Sequence, residues 1–148
     1  MNQTKSTKLS DITRSWHLVN VKGEVLGRIA TKIANLLMGK GKAYFVRNMD
    51  VGDYVIVVNT NDIVTTGKKA EKKKYYRHSG YPGGLKVETL QDLKQRKPEE
   101  VIRHAVKGML PQNRLRDRML KRLYVFMQEE HPYGDKIKDQ KANIKDTH

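Results

Sequence analysis

The sequence predicts an α/β domain built on a mainly parallel sheet. Three observations carry this. An uninterrupted β-branched and aromatic run from Tyr54 to Val58 has the composition of a strand buried on both faces. A long helical stripe separates it from an earlier alternating segment. Further helices lead to a last strand, giving the order strand, helix, strand, helices, strand. The 148 residues suit one domain. Its expected bounds are 15–128, with a mobile polar arm over 1–14 and a polar tail over 129–148 that gains order on a partner.

The elements follow in turn. Trp16 to Val21 alternates apolar and polar side chains as a half-buried strand does, and Lys22-Gly23-Glu24 turns the chain. Leu26, Ile29, Ala30, Ile33, Ala34 and Leu37 recur at three- and four-residue steps, one apolar stripe down a helix, while Arg28, Lys32 and Asn35 face elsewhere. Gly39 and Gly41 end that helix and leave Lys40 and Lys42 on a short loop open to phosphate. Asp50 and Asp53 bracket Gly52 ahead of the buried strand. A carboxylate pair there could serve acid/base or metal chemistry, but the preference of aspartate for turns favours local hydrogen bonding. Asn59 to Asn61 turn the chain into a second short run, Ile63 to Thr66. Thr89, Leu90 and Leu93 mark one or two helical turns. Pro98 at a helix start, Glu99 and Glu100 in its first turn, and Val101, Ile102, Ala105 and Val106 on one face define another helix, closing at Gly108. Leu115, Met119, Leu120 and Leu123 continue helically into a last strand, Tyr124-Val125-Phe126.

Charge narrows the function. Thirty Lys and Arg against sixteen Asp and Glu give +14, which makes a compact chain self-repelling unless a polyanion is near. The excess is local. Residues 67–86 hold seven cations (Lys68, Lys69, Lys72, Lys73, Lys74, Arg77 and Lys86) against Glu71 alone. Residues 101–122 hold seven more (Arg103, Lys107, Arg114, Arg116, Arg118, Lys121 and Arg122) against Asp117 alone. Scattered lysines are a solvated surface; clustered ones suit a nucleic acid. With no cysteine, disulfides, zinc ribbons, iron–sulfur clusters and thiol catalysis are excluded, and five scattered histidines offer no paired ligand spacing. No phosphate-cradle, dinucleotide, nucleophile-elbow or zincin motif occurs. The expectation is therefore a non-enzyme without metal, cofactor or small-molecule substrate. No apolar stretch is long enough to span a bilayer as a helix, and the first fifteen residues lack the apolar core of a secretory signal, so a cytoplasmic protein is expected.

The densest informative segment begins at Lys72, Lys73 and Lys74. Tyr75, Tyr76, Arg77, His78, Ser79, Gly80, Tyr81, Pro82, Gly83 and Gly84 follow, then Lys86. It offers cations for phosphates, rings for bases, hydroxyls for sugars, and glycines that let backbone approach closely. Any one tyrosine could equally be a half-buried packing residue. In the second stripe Arg103 and Lys107 share a helix face, and Arg114, Arg118 and Arg122 repeat the four-residue step. Like charges so spaced cost a few tenths of a kcal/mol per pair, a cost that an anion removes. The sequence thus nominates Lys40, Lys42, Lys68, Lys69, Lys72, Lys73, Lys74, Tyr75, Tyr76, Arg77, His78, Ser79, Tyr81, Gly83, Gly84, Lys86, Lys107, Arg114, Arg118, Lys121 and Arg122 as RNA-binding.

Several of these runs, read together from Trp16 to Pro132, resemble the bacterial large-subunit ribosomal protein thirteen family. The runs are Val25-Leu26-Gly27-Arg28-Ile29-Ala30, Gly39-Lys40-Gly41-Lys42, Asp50-Val51-Gly52-Asp53-Tyr54-Val55 and Thr66-Gly67-Lys68-Lys69. The segment Tyr75 to Lys86 and Ala105-Val106-Lys107-Gly108-Met109-Leu110-Pro111 complete the set. The chain departs from the family's usual histidine at Gly41, its Leu-Gly-Arg at Leu115-Arg116-Asp117 and its His-Pro-His at His131-Pro132-Tyr133. The resemblance implies a three-layer α/β/α fold with a four-stranded parallel sheet and no catalytic role. It also implies early binding to large-subunit ribosomal RNA beside neighbouring large-subunit proteins. A bacterial cytoplasmic ribosome is favoured over an organellar one, because the arm lacks an arginine-rich, acid-poor pattern. The rival readings are an extra-ribosomal messenger or general nucleic-acid binder, and an RNA-processing enzyme using Asp50 and Asp53.

Overall fold

The structure, a computed structural model, describes residues 6–137. Strand β1 (Trp16–Asn20), strand β2 (Tyr54–Val58) and strand β5 (Leu123–Val125) form a parallel sheet in the order β1-β2-β5. Trp16 lies opposite Tyr54, and Val55 opposite Leu123. β2 is the central strand and both of its faces are covered, which is why its residues are apolar without alternation: Val55, Ile56, Val57 and Val58 are all buried.

Helix α1 (Leu26–Met38) runs along the expected stripe and ends at Gly39, whose φ of 76° is the left-handed conformation that closes a helix without a Cβ penalty. The short helix α2 (Lys69–Lys72) precedes a hairpin of β3 (Lys74–His78) and β4 (Leu85–Thr89). Helix α3 (Leu90–Arg96) starts from a capping box in which Thr89 and Asp92 satisfy each other's backbone N–H. Helix α4 (Pro98–Met109) begins at its proline, and α5 (Leu115–Leu120) leads into β5. Val55 and Val57 pack with Ile29, Ile33 and Leu37 of α1 and Val101, Ile102 and Val106 of α4 in one core.

Two expectations need correction. The sheet has three strands among the described residues, not four. The run Ile63 to Thr66 contributes one isolated parallel bridge, Val25 to Val64, with 2.9 Å bonds from Val64 N–H to Glu24 and from Leu26 N–H to Val64. The physical reason is that α1 starts at Leu26, so the backbone facing Val64 is extended at Val25 alone. The basic segment, meanwhile, forms an antiparallel hairpin separate from that sheet.

The other face of the sheet is covered differently. Trp16, Tyr54 and Tyr124 occupy it by alternation. The Trp16 and Tyr54 rings stack at 4.3 Å, and Tyr133 stacks on Trp16 at 5.4 Å. Residues 134–137 are helical, and Lys136 sits over the Trp16 ring at 4.8 Å. The described part of the expected polar tail therefore packs on the sheet. At the other end Arg14 donates to the carbonyls of Gly52 (2.7 Å) and Asp50 (3.0 Å), and Thr7 to that of Tyr44 (3.1 Å). Residues 1–5 of the expected arm and 138–148 of the tail lie outside the described residues.

Candidate nucleic-acid interface

The hairpin presents the first basic stripe. Lys68, Lys69, Lys72, Lys73, Lys74, Arg77, His78, Ser79, Lys86, Tyr76 and Tyr81 are all exposed. Gly80 (φ 89°) and Gly83 (φ 72°) supply the left-handed conformations of its turn, closed by bonds from Ser79 N–H to Gly84 and from Gly84 N–H to Tyr81. Gly84 is half-buried because the Ser79 hydroxyl fills the space a Cβ would take. Tyr75 is the inward member of the set. Its ring packs on the core and meets the His104 ring of α4 at 5.1 Å, Lys73 lies over it at 5.4 Å, and burial raises its phenol above the ordinary 10.0. This contact joins the hairpin to α4, whose Arg103 and Lys107 are exposed beside it.

Lys40 is exposed on the loop after α1, in a groove shared with Arg47 and Asn113. Arg114, Arg118 and Lys121 are exposed around α5. Arg47 is not apparent from the sequence because it stands alone among apolar residues; only the fold brings it beside Lys40.

Two nominated cations turn inward. Arg122 lies past the end of α5 and is 7% exposed, so it does not extend the face of Arg114 and Arg118. Its guanidinium makes a two-pronged contact with the Asp50 carboxylate and also donates to the carbonyls of Leu37 (3.3 Å) and Asp53 (3.3 Å). Lys42 donates to Asp53 Oδ1 (2.5 Å) and to the carbonyls of Thr13 (2.6 Å) and Val51 (2.8 Å). Both therefore hold the interior together: they satisfy the carbonyls at the end of α1 and the lead-in to β2, which would otherwise be buried unpaired. The same network engages Asp50 and Asp53. The aspartates bond to cations from distant segments rather than capping their own turn, and among the described residues no group of three histidine or acidic side chains could hold a metal ion.

Asp53 reports on this network. Burial pushes its carboxyl up, but hydrogen bonds from His17 (3.0 Å), Lys42 and the Ser15 N–H, with the Lys42 charge, outweigh it and hold the group below 3.8. A depressed carboxyl stabilises the fold fully above its unfolded value, and that stabilisation is lost as pH falls through the folded one. Urea midpoints measured downward from about pH 6 should therefore drop below the ordinary carboxylate range, and Lys42→Met should make that drop shallower by raising Asp53 toward its unfolded value. An unchanged slope in the variant would remove Lys42 as the cause.

The fold and site define an α/β protein that engages its buried carboxylates internally and turns a cationic surface outward. Comparison with known sequences gives the particular kind. The family model described as Ribosomal protein L13 matches residues 14–132, and the chain belongs to that family. A protein named Large ribosomal subunit protein uL13 from Aquifex aeolicus is 53% identical over 131 residues, which is 88% of this chain and 91% of the relative. A relative of the same name from Dehalococcoides mccartyi is 50% identical over 131 residues, 88% of this chain and 92% of its own length. Another, from Synechococcus, is 47% identical over 134 residues, 90% and 89%.

Proposed function

We propose that this chain is a structural constituent of the large ribosomal subunit that binds its ribosomal RNA through the exposed cations and supports early assembly. One observation carries the reading. Among the described residues none of Lys68, Lys69, Lys72, Lys73, Lys74, Arg77 and Lys86 forms an ion pair, although they crowd onto α2 and one hairpin. Such a surface is self-repelling until phosphates neutralise it. Lys107, Arg114, Arg118, Lys121 and Lys40 extend it; Arg122 and Lys42 are omitted because their donors are engaged inside. The naming of the relatives as large-subunit proteins agrees with this assignment.

Sedimentation of a cell lysate tests the location. The chain should appear in stoichiometric amount in large-subunit particles, in a bacterial cytoplasmic ribosome, next to other proteins of that subunit. Recovery mainly as free protein or on messenger RNA would favour the extra-ribosomal reading instead. For the surface, replacing Lys72, Lys73 and Lys74 by Ala should weaken binding to large-subunit RNA. Each phosphate deprived of its lysine should also lower the slope of log affinity against log salt by about 0.7 to 0.9. A slope equal to that of the unaltered chain would show that these lysines face only solvent.

A further inference from the structure

A cleft of about 610 Å³ lies between the hairpin and helices α3 and α4. Its construction says what it takes. In an antiparallel pair opposed residues share a face, so Tyr75 with Glu88 and Arg77 with Lys86 are on the hairpin surface turned toward the helices. All four line the cleft. Arg77 and Lys86 are like charges placed directly across from each other, an arrangement that destabilises a strand pair when nothing neutralises it. The nearby Glu88 does not do so, because both its oxygens accept from Arg96, at 3.0 and 2.7 Å. The opposite wall carries His104, whose ring lies against Tyr75, and Glu100, a carboxylate that, unlike the Arg96-bound Glu88, is in no ion pair among the described residues.

We propose that this cleft holds a single unstacked nucleotide of the bound RNA. Its phosphate sits between Arg77 and Lys86, and its base lies against His104 above the Tyr75 ring. The chemistry fits each part: a phosphate relieves the opposed cations, the exposed imidazole of His104, backed by the Tyr75 ring, offers a stacking face, and the Glu100 carboxylate can accept from a base amino group. The volume falls within the range of pockets that enclose small organic ligands. The fold thus adds a pocket that selects for a base already out of its helix to a surface that otherwise tracks backbone. This rests on the reading that the hairpin surface binds large-subunit RNA.

The experiment is chemical probing of transcribed large-subunit RNA bound to the full chain, alone and with His104→Ala. His104 is exposed and outside the core, and because its ring also braces the hairpin through Tyr75, His104→Phe, which keeps a ring there, is the control that should retain the protection. In the unaltered complex one isolated nucleotide should be protected at its base. In the variant that nucleotide should regain reactivity while the backbone protections persist, and affinity should fall by about tenfold, within the range for loss of one base stack. An identical footprint and affinity for the variant would overturn the cleft assignment and leave backbone binding standing. Failure of the unaltered chain to protect the RNA at all would overturn both.

Discussion

Gly52→Ala is expected to leave little folded protein. A Cβ at position 52 would lie 1.6 Å from the Leu37 carbonyl oxygen and 2.4 Å from its carbon, and neither is a flexible side chain that could swing aside. The clash falls within a seam in which the end of α1 meets the lead-in to β2: Asp53 N–H donates to the Leu36 carbonyl at 3.1 Å, and Gly39 brings its own Cα close to the Val51 backbone. Relief of the clash requires α1 to move off the sheet, which would open the core around Leu37 and Val55. The expected loss is on the order of 4 kcal/mol or more, a large part of the roughly 5–15 kcal/mol that a domain commonly has. Urea denaturation of the purified variant, or its recovery only as insoluble protein, measures this. A midpoint close to that of the unaltered chain would mean that the seam is not as tight as the distances state.

Arg122→Met should have the next largest effect. Methionine keeps much of the volume but leaves the Asp50 carboxylate, 10% exposed, with Arg14 at 3.8 Å as its nearest remaining cation. Breaking a buried pair from one side costs about 3–5 kcal/mol because the stranded charge stays buried. The double variant Asp50→Asn with Arg122→Met removes that charge and should recover part of the loss, so the four proteins form a cycle whose interaction energy is read from denaturation midpoints. The RNA-binding measurement separates this role from an interface role. If enough Arg122→Met folds to assay, its salt slope should equal that of the unaltered chain, whereas a slope lowered by about 0.7 to 0.9 would put Arg122 at the phosphates.

Helices α1 and α4 were legible in the sequence because their signals are local, whereas the single turn of α2 was not. The stripe from Leu26 to Leu37, the glycine after it, and proline with two glutamates at the start of α4 each specify an element without reference to the rest of the chain. β2 was legible for a similar reason: burial on both faces writes a continuous apolar run. What was not legible depends on partners far away in sequence. Ile63 to Thr66 has the composition of a strand, but the start of α1 limits its pairing to one residue. The tail looked polar because its docking onto Trp16 uses one ring, Tyr133, and a lysine, Lys136, that the sequence shows only as a charge.

The candidate interface divides in the same way. The lysines of α2 and the hairpin are exposed, but clustering alone cannot tell a cation on the surface from one turned inward. Arg122 repeats the spacing of Arg114 and Arg118, yet the helix has ended before it and its partner, Asp50, is 72 residues away. His104 shows the converse. It resembles an ordinary surface residue in sequence and gains a neighbour only when the hairpin folds across α4.

The central place of β2 has a consequence for how the molecule is made. Its two neighbours come from residues 16–20 and 123–125, so a nascent chain cannot complete the sheet, or give Asp50 its guanidinium, until translation has passed residue 125. The hairpin needs only partners close in sequence, and pairings of that kind close first. During synthesis the hairpin's own pairing can therefore form while the interior is still open, and it gains its support from α4 only when His104 has followed it out.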